Sequence, residues 1–189
     1  AKGTTITGGT QNVLDGGTVS ETTINGGTQN IENGGVSKNT TINNGMQNIG
    51  QGGRASDTEL NSGTQTVSSG GVADETSIAA GAVQNVSGRA TRTTITGGTQ
   101  NVLSDGTASR TIINSGTQNV ESGGSVLQTT VNDGLMNVLS GAAAEETVIN
   151  GGSMVIASGG TAQNTSIVSG TQQVSGTATN TTIGANGMM

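Results

Sequence analysis

The sequence contains no phenylalanine, tyrosine, tryptophan, proline, cysteine or histidine, and charged residues make up only 10% of its 189 residues. Without aromatic residues and with 34 glycines, the chain is not expected to build an ordinary globular core. The same residues in random order would predict disorder, because their apolar surface is too small to offset the entropy lost on folding. Folding must therefore depend on the order of the residues.

The missing residue types also narrow the possible functions. Without histidine or cysteine the common catalytic bases and zinc ligands are absent, and no phosphate-binding glycine motif or calcium-binding nonapeptide occurs. Six basic against twelve acidic residues, with no basic run, disfavour a nucleic-acid partner. No apolar stretch approaches the roughly 20 residues that span a bilayer. We therefore expect no enzyme, no catalytic residue, no cofactor, no metal and no membrane insertion by this segment.

A repeat of about 18 residues, close to the length found in solenoid proteins, orders the chain, as the steps from Ile6 to Ile24 and Ile42 show. Its first mark is a Thr-x-aliphatic triplet, whose aliphatic residue falls at Ile6, Ile24, Ile42, Leu60, Ile78, Ile95, Ile113, Val131, Ile149, Ile167 and Ile183. A second aliphatic residue follows after seven positions, or eight in one coil, at Val13, Ile31, Ile49, Val67, Val86, Val102, Val120, Val138, Ile156 and Val174. A third row, usually alanine, lies five positions before each triplet aliphatic. Each repeat thus offers three small apolar points that face inward.

Glycine-rich turns separate short segments in which apolar and polar residues alternate with period two, as in β-strands. A repeat of this length and content is typical of a solenoid, in which each coil is stabilised by stacking on the next. We predict an all-β parallel β-helix (β-solenoid) of about ten coils, with residues 1–189 forming a single repeat segment of a longer solenoid.

Two further rows are expected to face inward as ladders. Threonine opens the triplet in all copies, and glutamine recurs between the two aliphatic rows until Met136 and Met154 replace it. Most charged residues, such as Glu75 and Arg92, fall just before the threonine and are expected to form a solvated edge. An outward Thr-x-Thr array would suggest ice binding, but asparagine occupies the second place in most copies.

Serines recur in the turns and are the candidate functional residues. They are Ser62, Ser69, Ser87, Ser104, Ser115, Ser122, Ser140, Ser158, Ser169 and Ser175. Serine before glycine is ordinary turn chemistry, which alone explains them. Rows of exposed hydroxyls about 4.8 Å apart beside small residues would equally suit acceptors of O-linked sugar. Both interpretations stay open at this point.

Segments such as Gly97-Gly-Thr-Gln-Asn-Val102 and Ser158-Gly-Gly-Thr-Ala-Gln-Asn-Thr-Ser-Ile167 resemble the repeats of self-associating autotransporter adhesins of Gram-negative bacteria. That family includes TibA, the diffuse-adherence adhesin and antigen 43. The resemblance implies a right-handed β-helical passenger, exported to the cell surface, that promotes adhesion, autoaggregation, biofilm formation and virulence. It also implies O-heptosylation of the turn serines by a heptosyltransferase. The first coils depart from this pattern, with Asp15, Asn33 and Gln51 in the serine row.

These observations leave three functional hypotheses. The first is a glycosylated, non-enzymatic adhesin passenger whose partners are a heptosyltransferase, like molecules on neighbouring cells and host cell surfaces. The second is a structural spacer that holds another domain away from the cell. The third, which the broken threonine array disfavours, is an ice-binding solenoid.

Overall fold

The computed structural model describes residues 1–189 and consists of β-strands joined by tight turns. The strands are β1 Thr5–Ile6, β2 Thr10–Val13, β3 Thr18–Ile24, β4 Thr28–Ile31, β5 Val36–Ile42, β6 Met46–Ile49, β7 Arg54–Leu60, β8 Gly63–Val67, β9 Val72–Ile78, β10 Ala82–Val86, β11 Arg89–Thr91, β12 Thr94–Val102, β13 Thr107–Ser109, β14 Ile112–Val120, β15 Ser125–Leu127, β16 Thr130–Val131, β17 Leu135–Val138, β18 Ala143–Glu145, β19 Val148–Ile149, β20 Ser153–Ile156, β21 Thr161–Gln163, β22 Ser166–Val174, β23 Thr177–Thr179 and β24 Thr182–Met188. No helix long and apolar enough to cross a lipid bilayer is present.

Each coil has three sides separated by a bend and two corners. In the second coil, side one is Thr18–Ser20, the bend is Glu21, and side two is Thr22–Ile24. The first corner, Asn25–Gly27, leads to side three at Thr28–Ile31, and the second corner is the four-residue turn Glu32–Gly35. We use these names for the equivalent residues of every coil.

Every strand pairs in parallel with its counterparts in neighbouring coils. Ile24 lies beside Ile42, Gln29 beside Gln47, and Val126 beside Ala144. The chain forms 138 backbone hydrogen bonds, so that stacking between coils satisfies most of the backbone. The predicted all-β parallel β-solenoid of about ten coils is therefore confirmed.

The core is a continuous column of small and aliphatic side chains. All three apolar rows lie inside, and 31 buried hydrophobic residues form one cluster. The side chains within each row repeat from coil to coil, so each meets a neighbour of similar size above and below. The core enclosed by each coil is narrow and can therefore be filled without aromatic side chains.

The bend adopts a conformation that the sequence did not reveal. The turns were expected to rely on glycine for positive φ, but the bend has φ between 53° and 59° at ten residues that are not glycine: Glu21, Asn39, Asp57, Glu75, Arg92, Arg110, Gln128, Glu146, Asn164 and Asn180. This left-handed conformation is disfavoured for residues with a Cβ atom. It is held by stacking, since the bend N–H of Glu146, for example, donates to the Gln163 carbonyl in the next coil at 3.1 Å.

Charged residues at and beside the bend form the expected solvated edge. Arg92 contacts Asp74 and Glu75 of the preceding coil, and its Nε lies 2.8 Å from Glu75 Oε1. Lys2 and Glu21 form a second exposed pair at 3.2 Å. Because these groups are solvated, each pair contributes at most about 1 kcal/mol to the free energy of unfolding.

Buried glutamines form the predicted amide ladder inside the solenoid. From Gln29 to Gln118, each side-chain Nε2 donates to the Oε1 of the glutamine one coil earlier at 2.6–2.7 Å. Buried threonines join the ladder from side two. Thr76 Oγ1, for example, donates to Gln65 Oε1 at 3.3 Å. The inward positions of both rows are thus confirmed.

The ladder is interrupted at Met136 and Met154, and the interruption leaves a buried hydroxyl without a partner. In most other coils a threonine bonds the glutamine of the preceding coil or that of its own coil, as Thr111 and Thr93 respectively do with Gln100. For Thr147 both positions are methionine, and its buried Oγ1 forms no hydrogen bond. Thr22 is the other buried threonine without a partner.

Replacing a buried threonine by valine, which has the same shape, should therefore have different effects at Thr147 and at Thr76. Thr147→Val removes an unsatisfied hydroxyl and should leave the free energy of unfolding unchanged or raise it by up to about 1 kcal/mol. Thr76→Val removes a bonded hydroxyl and should lower it by about 1 kcal/mol. Denaturant unfolding followed by circular dichroism measures both. Equal effects at the two sites would contradict this account of the ladder.

Candidate functional site

The second corner places serine at the tip of a tight turn. In Glu121–Gly124 the Gly124 N–H donates to the Glu121 carbonyl at 2.8 Å, and Gly123 has φ of 80°. Ser122 occupies the second position of this turn, just before the residue with positive φ. Glycine suits that third position because it adopts positive φ without a steric penalty. The serine side chain is therefore carried on a short, hydrogen-bonded projection.

The ten candidate serines fall into three structural groups. Those at the tip of a four-residue second corner are all exposed: Ser69, Ser104, Ser122, Ser140 and Ser158. Two lie in second corners shortened to two residues, where Ser87 is half-buried and Ser175 is exposed. Three lie in the first corner: Ser62 and Ser169, which are half-buried, and Ser115, which is exposed. The two kinds of corner form separate edges of the solenoid.

The hydroxyls of these serines differ in their hydrogen bonds. Ser62 Oγ donates to the Asn43 carbonyl, and Ser169 Oγ donates to the Asn150 carbonyl, each in the preceding coil. The hydroxyls of the remaining eight candidates form no hydrogen bond within the chain: Ser69, Ser87, Ser104, Ser115, Ser122, Ser140, Ser158 and Ser175. A free and exposed hydroxyl is available to an external group, whereas the hydroxyls of Ser62 and Ser169 already donate a hydrogen bond.

Second-corner hydroxyls lean along the solenoid axis towards the next coil. A Cβ atom added to Gly123 would lie 2.9 Å from Ser104 Oγ, and one added to Gly141 would lie 2.7 Å from Ser122 Oγ. The same relation joins Gly159 to Ser140 Oγ, at 2.5 Å. These glycines are therefore needed twice, for their positive φ and for the space that they leave around the hydroxyl of the preceding coil.

Consecutive second corners form a column of hydroxyls along one edge. From Ser69 to Ser175, each of seven successive coils contributes one serine at this corner. Coils in a parallel stack are about 4.8 Å apart, which sets the approximate spacing of the column. In the three coils before Ser69 the same position carries Asp15, Asn33 and Gln51. The column is thus a property of the later coils only.

A shallow groove runs along side one of the later coils. Its volume is about 400 Å³, and small outward residues such as Thr107, Ser125 and Ala143 line it together with Leu127 and Glu145. No cluster of three or more acidic, histidine or cysteine side chains with metal-binding geometry is present. The chemistry that the structure offers is therefore concentrated in the repeated hydroxyls.

Comparison with known proteins gives an informative match among solved structures. The chain matches no protein-family model and no curated protein. Among solved structures it is similar to the crystal structure of a hyper-glycosylated TibA fragment whose glycosylation was catalysed by TibC. The similarity covers 100% of this chain and 84% of that chain, with 32% identical residues and a TM-score of 0.59.

The chain belongs to the TibA family of autotransporter adhesin passengers. The resemblance to TibA that the repeats indicated is therefore confirmed, together with the β-solenoid fold. A specific likeness to antigen 43 or to the diffuse-adherence adhesin stays a prediction. The ten candidate acceptor serines also stay predictions.

Sequence reasoning missed the glycines that lie above the serine column. Each follows its serine by one coil and one further position, as Gly123 follows Ser104 and Gly141 follows Ser122. Because a separation of one coil places equivalent residues over each other, the additional position places the third residue of one turn over the second residue of the previous turn. The spacing was present in the sequence, but only the direction of the side chain shows that the two residues meet.

We expect Gly141→Ala to lower the free energy of unfolding by about 1–2 kcal/mol through the positive φ alone, and by more through the clash with Ser122 Oγ. Adding Ser122→Gly should restore the part due to the clash and leave the part due to φ. Gly8→Ala is a matched control, because Gly8 has no positive φ and no atom near an added Cβ. Denaturant unfolding of the original chain, of Gly141→Ala and Ser122→Gly alone and of the double variant measures this coupling, and strictly additive effects would contradict the contact.

Proposed function

We propose that this chain is the adhesive, non-enzymatic passenger segment of a bacterial surface autotransporter, and that its corner serines accept O-linked heptose from a heptosyltransferase. One observation carries the proposal: free, exposed hydroxyls recur at the same place on a rigid edge, in a chain related to a protein that TibC hyper-glycosylates. Ordinary turn chemistry explains why serine occurs at these positions, but it does not require the hydroxyls to be exposed and free of hydrogen bonds.

The structure ranks the candidates by the state of their hydroxyls. The five tip serines of the second corner, Ser115 and Ser175 are exposed and unbonded, which favours them as acceptors. Ser62 and Ser169 must first give up a hydrogen bond to a backbone carbonyl, so slower modification is expected there. Such a bond contributes about 1 kcal/mol, enough to slow transfer several-fold without preventing it.

Co-expression with TibC tests the acceptor function. We expect intact-mass spectrometry to show several added heptose units, and peptide spectra to assign them to the candidate serines. A variant with alanine at Ser69, Ser104, Ser122, Ser140 and Ser158 should lose most of the added mass, while alanine at the buried Ser37 serves as the control. An unchanged mass after co-expression would rule out the acceptor function for this enzyme.

The surface supports adhesion through many weak contacts. Outward asparagines on side three bond from coil to coil, as Asn30 does with Asn12 and Asn48, and give this face little charge. A second outward row begins with Asn25, Asn43 and Asn61, whose amides also bond one another. Repetition of one weakly interacting surface favours binding by multivalency. The second row of asparagines also interrupts the threonine array that ice binding would require.

Display on cells distinguishes the adhesin from a spacer. We expect cells that display residues 1–189 to settle faster than cells that display an unrelated solenoid of similar length. The expectation follows from multivalency, because each pair of cells presents many copies of the surface. Settling is followed as turbidity at the top of a standing culture. Cells that remain dispersed while displaying the folded segment would favour the spacer.

A further inference from the structure

Two second corners are shorter than the others and interrupt the edge that carries the serine column. Val67 pairs with Val86, and Val72 pairs with Arg89, so the two residues Ser87–Gly88 lie over the four residues Ser68–Gly71. In the same way, pairing of Ile156 with Val174 and of Thr161 with Thr177 places Ser175–Gly176 over Ala157–Gly160.

Each short corner crosses the base of the long corner that precedes it and leaves the tip uncovered. A Cβ atom at Gly88 would meet the carbonyl oxygens of Ser68 and Gly71, the first and last residues of the turn, and none of its three nearest atoms belongs to Ser69. One at Gly176 would meet the carbonyls of Ala157 and Gly160. By contrast, a glycine of the following coil lies over Ser104, over Ser122 and over Ser140.

Backbone hydrogen bonds also differ at these two places. Where long corners follow one another, the N–H of the third residue donates to the carbonyl of the third residue of the next corner, except at Gly16 in the first coil. Five such bonds, of 2.9–3.2 Å, are present: Gly34 to Gly52, Gly52 to Gly70, Asp105 to Gly123, Gly123 to Gly141 and Gly141 to Gly159. The N–H groups of Gly70 and Gly159 have no such acceptor. Each is the residue next to a candidate serine.

We propose that the two shortened coils set the order of modification, so that Ser69 and Ser158 accept sugar before Ser104, Ser122 and Ser140, the other serines at the tip of a four-residue second corner. This inference rests on the proposed acceptor function and goes beyond it by naming the preferred sites. An enzyme that carries a nucleotide-activated heptose can approach these two hydroxyls along the axis as well as from the side. The free N–H of Gly70 or Gly159 can donate a hydrogen bond to an oxygen of the donor or of the attached sugar.

The transfer itself is an ordinary substitution at the anomeric carbon. Serine Oγ forms a bond to that carbon, and the bond from the carbon to the nucleoside diphosphate breaks. The diphosphate leaves with the electron pair, and the hydroxyl proton passes to a base of the transferase or to water. The only co-reactant is the nucleotide-activated heptose.

The same geometry disfavours Ser87 as an acceptor of sugar. Its two-residue corner lies between the four-residue corners Ser68–Gly71 and Leu103–Gly106, both of which extend further outwards. In the next corner the third position is Asp105, which carries a side chain where the other long corners have glycine. Ser87 is half-buried, unlike the tip serines. We therefore expect it to be modified last in the column.

A time course on the purified, folded chain tests the order. The chain is incubated with TibC and a nucleotide-activated heptose, and samples are digested for quantitative peptide spectrometry. We expect initial rates at Ser69 and Ser158 to exceed those at Ser104, Ser122 and Ser140 by at least about fivefold, which corresponds to about 1 kcal/mol in activation free energy. Equal rates at all five serines would overturn the proposed order.

A matched variant lengthens the first short corner, so that it covers the tip of the corner before it. Replacing Ser87–Gly88 by Ser-Asn-Gly-Gly gives that corner the length of the others, with asparagine at the tip as in Glu32–Gly35, and adds no new acceptor. The rate at Ser69 should then fall to that of Ser122, while Ser158 stays fast as the internal control. If circular dichroism shows that the variant does not fold, the ratio of Ser158 to Ser140 in the original chain still decides the order.

The outcomes separate the two proposals. If no serine gains heptose in this assay or on co-expression, the acceptor function itself fails. The acceptor function stands and the proposed order is wrong if serines are modified but Ser69 and Ser158 are not faster than Ser104, Ser122 and Ser140. The same holds if Ser69 stays fast in the lengthened variant when that variant folds.

Discussion

Vertical register between coils is the constraint on which the rest of the structure depends. Every strand lies beside its own counterpart, so like side chains are stacked and the backbone of one coil is hydrogen-bonded by the next. No single coil can bury a face alone, and stability therefore comes from nearest-neighbour contacts along the axis. The same register that aligns isoleucines inside the solenoid also aligns serines outside it. Fold and candidate site thus have one physical origin.

Much of this arrangement could be predicted from the sequence because stacking turns a spatial neighbour into a position one repeat away in the chain. The aliphatic, alanine, threonine and glutamine rows were all assigned inward, and they are buried except in the coils at the two ends. The positive φ of the bend could not be predicted, since residues as different as Glu146, Arg110 and Asn39 adopt it. Their conformation is imposed by hydrogen bonds to the next coil, and local preference alone would not produce it.

The positions of the candidate serines could be predicted from the sequence, but the hydrogen bonding of their hydroxyls could not. Ser62, Ser115 and Ser169 all precede glycine in the first corner and look equivalent in the sequence. Two of them are bonded to an asparagine carbonyl of the preceding coil, whereas Ser115 lies beside Thr96, where the register of the strands shifts. Whether a hydroxyl is free depends on small differences in neighbouring coils. Such differences are visible only in the three-dimensional structure, and they decide which hydroxyls are free.

The glutamine ladder gives the interior a direction. Between Gln11 and Gln118 every carboxamide points its N–H towards the earlier coil, so the amide dipoles add and each polarises the next. Reversing one amide would set two like groups against each other unless its neighbours reversed as well. The seven amides therefore behave as one cooperative unit with two orientations, and Met136 ends it because a thioether cannot replace an amide as a donor. A single methionine thus limits how far one coil can influence another through the core.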